Sequence, residues 1–273
     1  ALWYDSQFSF HVARLKEKKI NLYYAQHGGA YGISKYSWPE SHEKKIADKY
    51  LTWGWSDKEI PNKIKKFYIL SDIKNFQKDE KKENLLILLR HRKRYFQSLE
   101  SSAGTEVYSD YMKFCSDFLF NLSKEIKFKT ILRLPNKISG ESVDFFSNLR
   151  KNFKFYSQNS FQEACNKSKL IVNTANSTTL LETLSANFPT IIILDKKTNP
   201  IRSNAKKYIR MLYDNKILHY NSLSAAKFVN EVWNSDINDW WNYGKTQKAI
   251  KKFCNVFANQ KENFLVDLKK ILE

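Results

Sequence analysis

The chain has 273 residues, 42% hydrophobic and 15% aromatic, enough for a packed core and too apolar for global disorder. Its formal charge of +18 points to anionic partners, yet Lys and Arg are spread along the whole chain without a zinc-finger, RNP-type or helix-turn-helix pattern. That sets nucleic acid aside in favour of anionic phospholipid head groups or phosphorylated donors and acceptors. Cys115, Cys165 and Cys254 lie far apart, which excludes a disulfide scaffold or a CxxC metal site and fits a reducing, cytoplasmic compartment. No apolar run nears the roughly 20 residues of a membrane span. The start, Ala1 to Asp5, lacks signal-peptide features and an initiating Met, as in a partial chain.

In chain order, Phe8–Lys19 reads as an amphipathic helix with a basic end, and Ile20–Ala25 as a short buried strand. The strand runs into the glycine-rich loop Gln26-His27-Gly28-Gly29-Ala30-Tyr31-Gly32. Glu40–Asp48 reads as helix and Lys49–Trp55 as another strand, while the charged stretch Lys74–Asn84 reads as a linker. Leu85–Leu89 is a continuous apolar run suited to a central parallel strand. Regular alternation follows: helix Tyr108–Ile126, strand Lys129–Leu134, helix Ser142–Lys151, strand Lys154–Tyr156 and helix Ser160–Lys167. Strand Leu170–Asn173, helix Thr178–Ala186 and strand Thr190–Leu194 continue it, and Ala225 to the end reads as helices broken near Asn242-Tyr243-Gly244. Strands separated by helix-sized segments define an α/β fold with a parallel sheet and right-handed crossovers.

Three places can carry chemistry. After strand Leu170–Asn173 come Asn176, Ser177 and Thr178 at a helix start, with Glu182 about one turn further on. Hydroxyl residues there cap the helix or present backbone N–H groups to a phosphate, and the carboxylate can accept hydrogen bonds from a ribose. Plain capping explains the same residues without a ligand. Arg90 and Arg92 follow strand Leu85–Leu89, and Arg133 ends the next strand, where cations neutralise phosphates without a metal. The alternative there is a solvated basic turn. In the Gln26-His27-Gly28-Gly29 loop, His27 ends a strand and the glycines admit a ligand close to the backbone. A neutral His27 can act as general base, with Glu43 as runner-up. Glu40, His42, Glu43 and Asp48 do not match HExxH spacing, so no metal is expected; Asp48 reads as a cap or surface residue. Trp53 and Trp55 with Gly54 could stack on a sugar ring but read first as core or interface residues; Trp240, Trp241 and His219 read as packing or structural residues, and the pairs Lys206-Lys207 and Lys251-Lys252 as solvated helix faces.

The Ser177-Thr178…Glu182 arrangement before a Pro-led strand resembles the donor-binding signature of GT-B glycosyltransferases. A longer pattern runs through QHGGAYG at 26–32, Glu40-Ser41-His42-Glu43, IADKYLTWGW at 46–55, ILRLP at 131–135, NSTTLLETLSANFPTI at 176–191, KILHYNSLSAAKFV at 216–229 and DINDWW at 236–241. It resembles a family of bacterial transferases named from a leptospiral protein and found in surface-polysaccharide and O-antigen gene clusters. The resemblance implies a GT-B-like α/β fold, a Rossmann-like parallel sheet with flanking helices, preceded by the tail of a second α/β domain. Residues 1–73 would then be the remnant of an acceptor-side domain bearing the QHGG loop, 84–224 the nucleotide-sugar-binding domain and 225–273 closing helices that cross back. Family members carry a full N-terminal domain ahead of that loop. The implied activity is metal-independent sugar transfer from a nucleotide-activated donor to a glycan or lipid-linked glycan acceptor, with no further cofactor, in the cytoplasm or peripheral to the inner membrane. Asn176, Ser177, Thr178 and Glu182 would hold the donor, Arg90, Arg92 and Arg133 its charge, and His27 or Glu43 would activate the acceptor, beside Gln26, Gly28 and Gly29. CMP-linked Kdo- or sialic-type donors, UDP- or GDP-sugars, and glycerol phosphate from a CDP-linked donor all remain open. So does a rival of another class, a non-catalytic basic module binding nucleic acid or anionic membrane.

Overall fold

The computed structural model describes residues 5–69, 82–90, 105–134, 142–156, 160–261 and 263–273. Its strands form two all-parallel sheets. The first contains β1 (Tyr23–Ala25), β2 (Lys49–Thr52) and β3 (Ile64–Lys66) in that spatial order. The second contains β4 (Asn84–Leu88), β5 (Thr130–Arg133), β6 (Lys154–Tyr156), β7 (Ser168–Asn173), β8 (Thr190–Ile193) and β9 (Leu218–His219). Its order is β6-β5-β4-β7-β8-β9, so the winding direction reverses between β4 and β7. Open α/β sheets bind ligands beyond the carboxyl ends of their strands at such a reversal.

The helices are α1 (Ser6–Glu17), α2 (Trp38–Ile46), α3 (Thr105–Phe120), α4 (Lys124–Lys129), α5 (Ser142–Asn152) and α6 (Phe161–Asn166). They continue as α7 (Thr178–Ser185), α8 (Lys206–Asp214), α9 (Ser222–Asn234), α10 (Ile237–Trp241), α11 (Gly244–Phe257) and α12 (Phe264–Leu272). Among the described residues no helix is long and apolar enough to cross a membrane.

The apolar run of β4 has the composition a central strand needs, because both its faces are covered. Leu85 and Ile87 enter one core cluster, with Phe118, Leu132 and Val229, while Leu86 and Leu88 enter another, with Ile171 and Phe188. Period-two alternation sends successive side chains to opposite faces, so a strand buried twice must be apolar throughout. A third cluster joins the sheets: Tyr50 and Trp55 from the first pack with Leu184, Leu194 and Phe253. The chain's end returns to the first sheet as well. Asn259 N–H donates to the Trp53 carbonyl at 2.9 Å, Ile69 N–H donates to that of Asn259 at 2.8 Å, and the Tyr68 hydroxyl donates to Asp267 at 2.6 Å.

Several expected boundaries move for local reasons. The helix expected over Tyr108–Ile126 is two helices, because Ser123 caps a new start by accepting from Ile126 N–H. The strand expected from Ile20 starts at Tyr23: Lys19 has φ of 59°, and Leu22 N–H donates to the Asp48 carboxylate instead of a strand partner. The strand expected through Trp55 stops at Thr52, since Gly54 takes φ of 120°. The final helices break at Ser235 as well as near Asn242. The linker expected over Lys74–Asn84 lies mostly outside the described residues.

Candidate active site

The carboxyl ends of the two sheets meet along a seam made largely of backbone. β1 delivers Gln26 and His27, the loop turns through Gly28 and Gly29, and Gly29 N–H donates to Thr178 Oγ1 at 3.2 Å. A Cβ on Gly29 would lie 2.4 Å from the Ser177 carbonyl and the Thr178 nitrogen, so only glycine lets this loop rest on the start of α7. The seam continues where Asn176 Nδ2 donates to Ser34 Oγ at 3.1 Å, Lys35 N–H to the Pro200 carbonyl at 2.8 Å and Arg202 N–H to that of Ile33 at 2.9 Å.

Behind the loop lies a group of coupled polar side chains. Glu43, on α2, is fully buried and accepts from the Tyr31 hydroxyl at 3.2 Å and the Tyr50 hydroxyl at 2.9 Å. His27 Nδ1 lies 3.3 Å from the same carboxylate, with the imidazole 52% exposed and the Glu43 side chain 0%. A carboxylate accepts, so Nδ1 carries the proton and Nε2 the lone pair. The Tyr31 hydroxyl lies 3.4 Å from Nε2, and its proton goes to Glu43. Burial lowers the His27 pKa below its ordinary 6.5, and burial together with the Glu43 charge pushes the Tyr31 and Tyr50 phenols far up. The phenols thus stay protonated donors and the imidazole is neutral at pH 7.

Across the seam, a cavity of about 280 Å³ is lined by His27, Thr178 and Glu182, with Trp53, Phe67 and Tyr68 among its apolar walls. Ser177 sits at the N-cap of α7 without capping it; its hydroxyl meets that of Thr179 at 2.8 Å, leaving the first N–H groups of the helix uncapped by a side chain. Thr179 Oγ1 donates to Asn173 Oδ1 and Asn173 Nδ2 donates to Thr183 Oγ1, both at 3.2 Å, which pins that helix start to the end of β7. Burial raises the Glu182 pKa above its ordinary 4.5. At the β4–β7 reversal, Thr174 Oγ1 donates to the Leu88 carbonyl at 2.8 Å. The Tyr111 hydroxyl bonds Thr174 at 2.7 Å and accepts from Arg90 N–H at 2.6 Å. Loops on both sides of the crevice are therefore held from below.

The family model for the LIC12162 family transferase matches residues 1–272. The chain belongs to that transferase family. A protein assigned as a UDP-N-acetylglucosamine 2-epimerase of Listeria monocytogenes shares the fold of this LIC12162 family chain at 12% identity, over 98% of this chain and 72% of that one, with a TM-score of 0.54. The apo structure of OtsA matches at 11% identity, over 94% and 70%, with a TM-score of 0.50. A structure of the wall teichoic acid polymerase TagF is similar at 13% identity and a TM-score of 0.40, over 89% of this chain and 63% of its own length. At such identities the likeness to the first two is one of fold, a GT-B-like α/β architecture. No curated protein sequence matches the chain.

In this LIC12162 family member, then, the structure brings His27, Gly29, Thr178 and Glu182 together at one seam. Arg90 is exposed at the end of β4, and Arg133 is half-buried one strand over, its guanidinium 6.0 Å from the Phe161 ring. Arg92 lies outside the described residues. Gln26 also lines the His27 cavity, but its amide is committed: it is buried, its Oε1 accepts from Trp53 N–H and Trp55 Nε1, and its Nε2 donates to the Gly28 carbonyl. Glu43 cannot meet an acceptor directly, because its carboxylate is sealed behind His27 and two tyrosines. Asp48, read as a cap or surface residue, is partly exposed and accepts from Lys16 and Leu22 N–H. His219 is structural, buried with Nε2 3.0 Å from the Lys216 carbonyl. Sequence reading missed Tyr31 and Tyr50, whose hydroxyls show no spacing signal, and Glu40. The Glu40 carboxylate is buried, accepting from Gly32 N–H at 2.9 Å and Arg202 at 2.8 Å.

Proposed function

We propose that this chain carries the nucleotide-sugar side of a glycosyltransferase and the wall that presents its acceptor hydroxyl. The product would be a surface polysaccharide such as O-antigen or capsule, and the acceptor a glycan or lipid-linked glycan brought to the cytoplasmic face of the inner membrane. The observation that carries this reading is the shared cavity of His27, Thr178 and Glu182, where a titratable base faces an uncapped helix start. The donor nucleotide lies over the β4–β7 reversal, with its phosphates at the start of α7 and near Arg90 and Arg133, and its ribose at Glu182. No metal takes part in this reading.

The acceptor oxygen attacks the anomeric carbon while the bond from that carbon to the donor phosphate oxygen breaks. The acceptor proton passes to His27 Nε2, and the departing nucleotide keeps the bonding electron pair, its new charge met by helix N–H groups and arginines. Glu43 fixes the tautomer and steadies the imidazolium, without touching substrate.

Thermal unfolding of the chain with CMP, CDP, UDP, GDP or ADP tests the donor half. A ligand at 100 times its Kd stabilises by about 2.7 kcal/mol. For a domain of this size that is roughly 5–10 °C in Tm. One base is expected to act, and Thr178→Ala to remove most of its shift. Equal response to all five, or an unchanged shift in Thr178→Ala, would sink the placement.

A further inference from the structure

A second and larger cavity, about 610 Å³, lies along the same seam but shares no lining residue with the His27 cavity. Its wall carries five cations, Lys35, Lys44, Lys58, Arg202 and Lys207, against two carboxylates, Asp57 and Glu59. On a chain of net charge +18 an exposed lysine is unremarkable in itself. What sets this wall apart is that two of its cations are fixed. Lys44 and Arg202 are mostly buried, both stand about 6 Å from the Trp55 indole, and both reach one Glu40 oxygen, at 3.3 and 2.8 Å. Lys44 also holds Asp57 at 2.7 Å. Counting the buried Glu40 behind them, cations still exceed carboxylates by two.

The remaining three, Lys35, Lys58 and Lys207, are exposed and make no ion pair among the described residues. Ser203 and Asn204 add hydroxyl and amide groups to the rim. A pre-positioned cation pair with three exposed ammonium groups around it, those of Lys35 and Lys207 lying over the Tyr36 and Tyr208 rings, concentrates positive potential in a concave site. The volume is several times that of one phosphate, which leaves room for the ring bearing it.

We propose that this cavity binds the phosphate ester of a sugar, at a site separate from the donor nucleotide. The fixed Lys44–Arg202 pair orients the phosphate, and the exposed lysines supply the excess charge. The site stands independently of where the donor lies.

Titration calorimetry with glucose 1-phosphate, at low salt and with the full chain, tests it. Lys58→Ala with Lys207→Ala is the test variant, because both side chains are exposed and neither makes an ion pair among the described residues. Lys251→Ala with Lys252→Ala, on the exposed face of α11, removes the same charge elsewhere. The expected result is one equivalent bound, a Kd raised at least tenfold in the test variant, and a Kd changed less than twofold in the control. No binding at millimolar concentration, or equal losses in both variants, would overturn the site. Glucuronate binding more tightly than glucose 1-phosphate would overturn the phosphate assignment.

Discussion

Gly29→Ala isolates the contact that joins the two sheets. The new methyl carbon would sit 2.4 Å from the Ser177 carbonyl carbon and oxygen and the Thr178 nitrogen, all of them backbone. Ordinary carbon contacts lie near 3.5–4.0 Å, so the loop must retreat by about 1 Å. That distance breaks the 3.2 Å bond from Gly29 N–H to Thr178 Oγ1. Overpacking costs about 1–3 kcal/mol and the lost hydrogen bond about 1 more, together about 2–4 kcal/mol. For a chain of this length the Tm falls by about 5–15 °C. Two glycines calibrate the result. At Gly28 the added carbon meets only the edge of the Tyr31 ring at 3.0 Å, so a smaller loss is expected; at Gly244 it meets nothing within 4 Å, so no loss is expected. Differential scanning calorimetry of the three variants measures the order. A Gly29→Ala Tm within about 1 °C of Gly244→Ala would show that the seam is not packed as described.

The imidazole and the carboxylates give three more tests. Transfer activity should fall with acidity at a midpoint below 6.5, since burial lowers the His27 pKa and only the neutral ring accepts a proton. The matching stability contribution is intact above 6.5 and is lost as pH falls through the lowered value, which unfolding curves of wild type and His27→Gln between pH 5 and 8 would show. A midpoint above 7 would refute the neutral-base assignment. Glu43→Gln should lower kcat much more than it raises KM, and should cost roughly 1–3 kcal/mol of stability as a buried acceptor of several hydrogen bonds is replaced. A pure KM effect would contradict a positioning role. Glu182 has its pKa raised by burial, so its contribution to stability is present below 4.5 and is lost as pH climbs through the raised value. Glu182→Gln should therefore leave the Tm at pH 7.5 unchanged or higher while weakening nucleotide binding; a lower Tm would mean that the carboxylate supports the fold.

The parts of this architecture legible in sequence are those written in a short period. Leu85–Leu89 and Leu170–Asn173 are apolar without interruption because each is covered on both faces, and Ser160 and Ser177 mark helix starts one residue early. The two-residue β9 and the three-residue β3 offer too few residues for any period to emerge. The break at Ser123 stayed hidden because apolar spacing runs on across it; the cap and the Asn230 side chain that receives Ser123 N–H are tertiary facts. At the candidate site, the loop and helix signals single out His27, Thr178 and Glu182, which line one cavity. The surroundings of Gln26 and Glu43 could not be read from those signals, since only the fold shows that both side chains are buried and bonded to the scaffold.

The helix α2 shows why scaffold and site are hard to separate here. Glu40 and Glu43 lie three residues apart, so both project from one face, and both carboxylates are buried. Glu43 reaches forward to His27 and the two phenols; Glu40 reaches sideways to Gly32 N–H and across the seam to Arg202. One short helix thus sets the imidazole and also ties the first sheet to the loop after β8. A rotation of α2 about its axis would displace the His27 ring and the Arg202 guanidinium together. The separation between the base and the start of α7 is then fixed by Gly29 contact on one side and by this carboxylate pair on the other. That is the physical reason a half-exposed histidine can hold one position over a cavity whose opposite wall belongs to a different sheet.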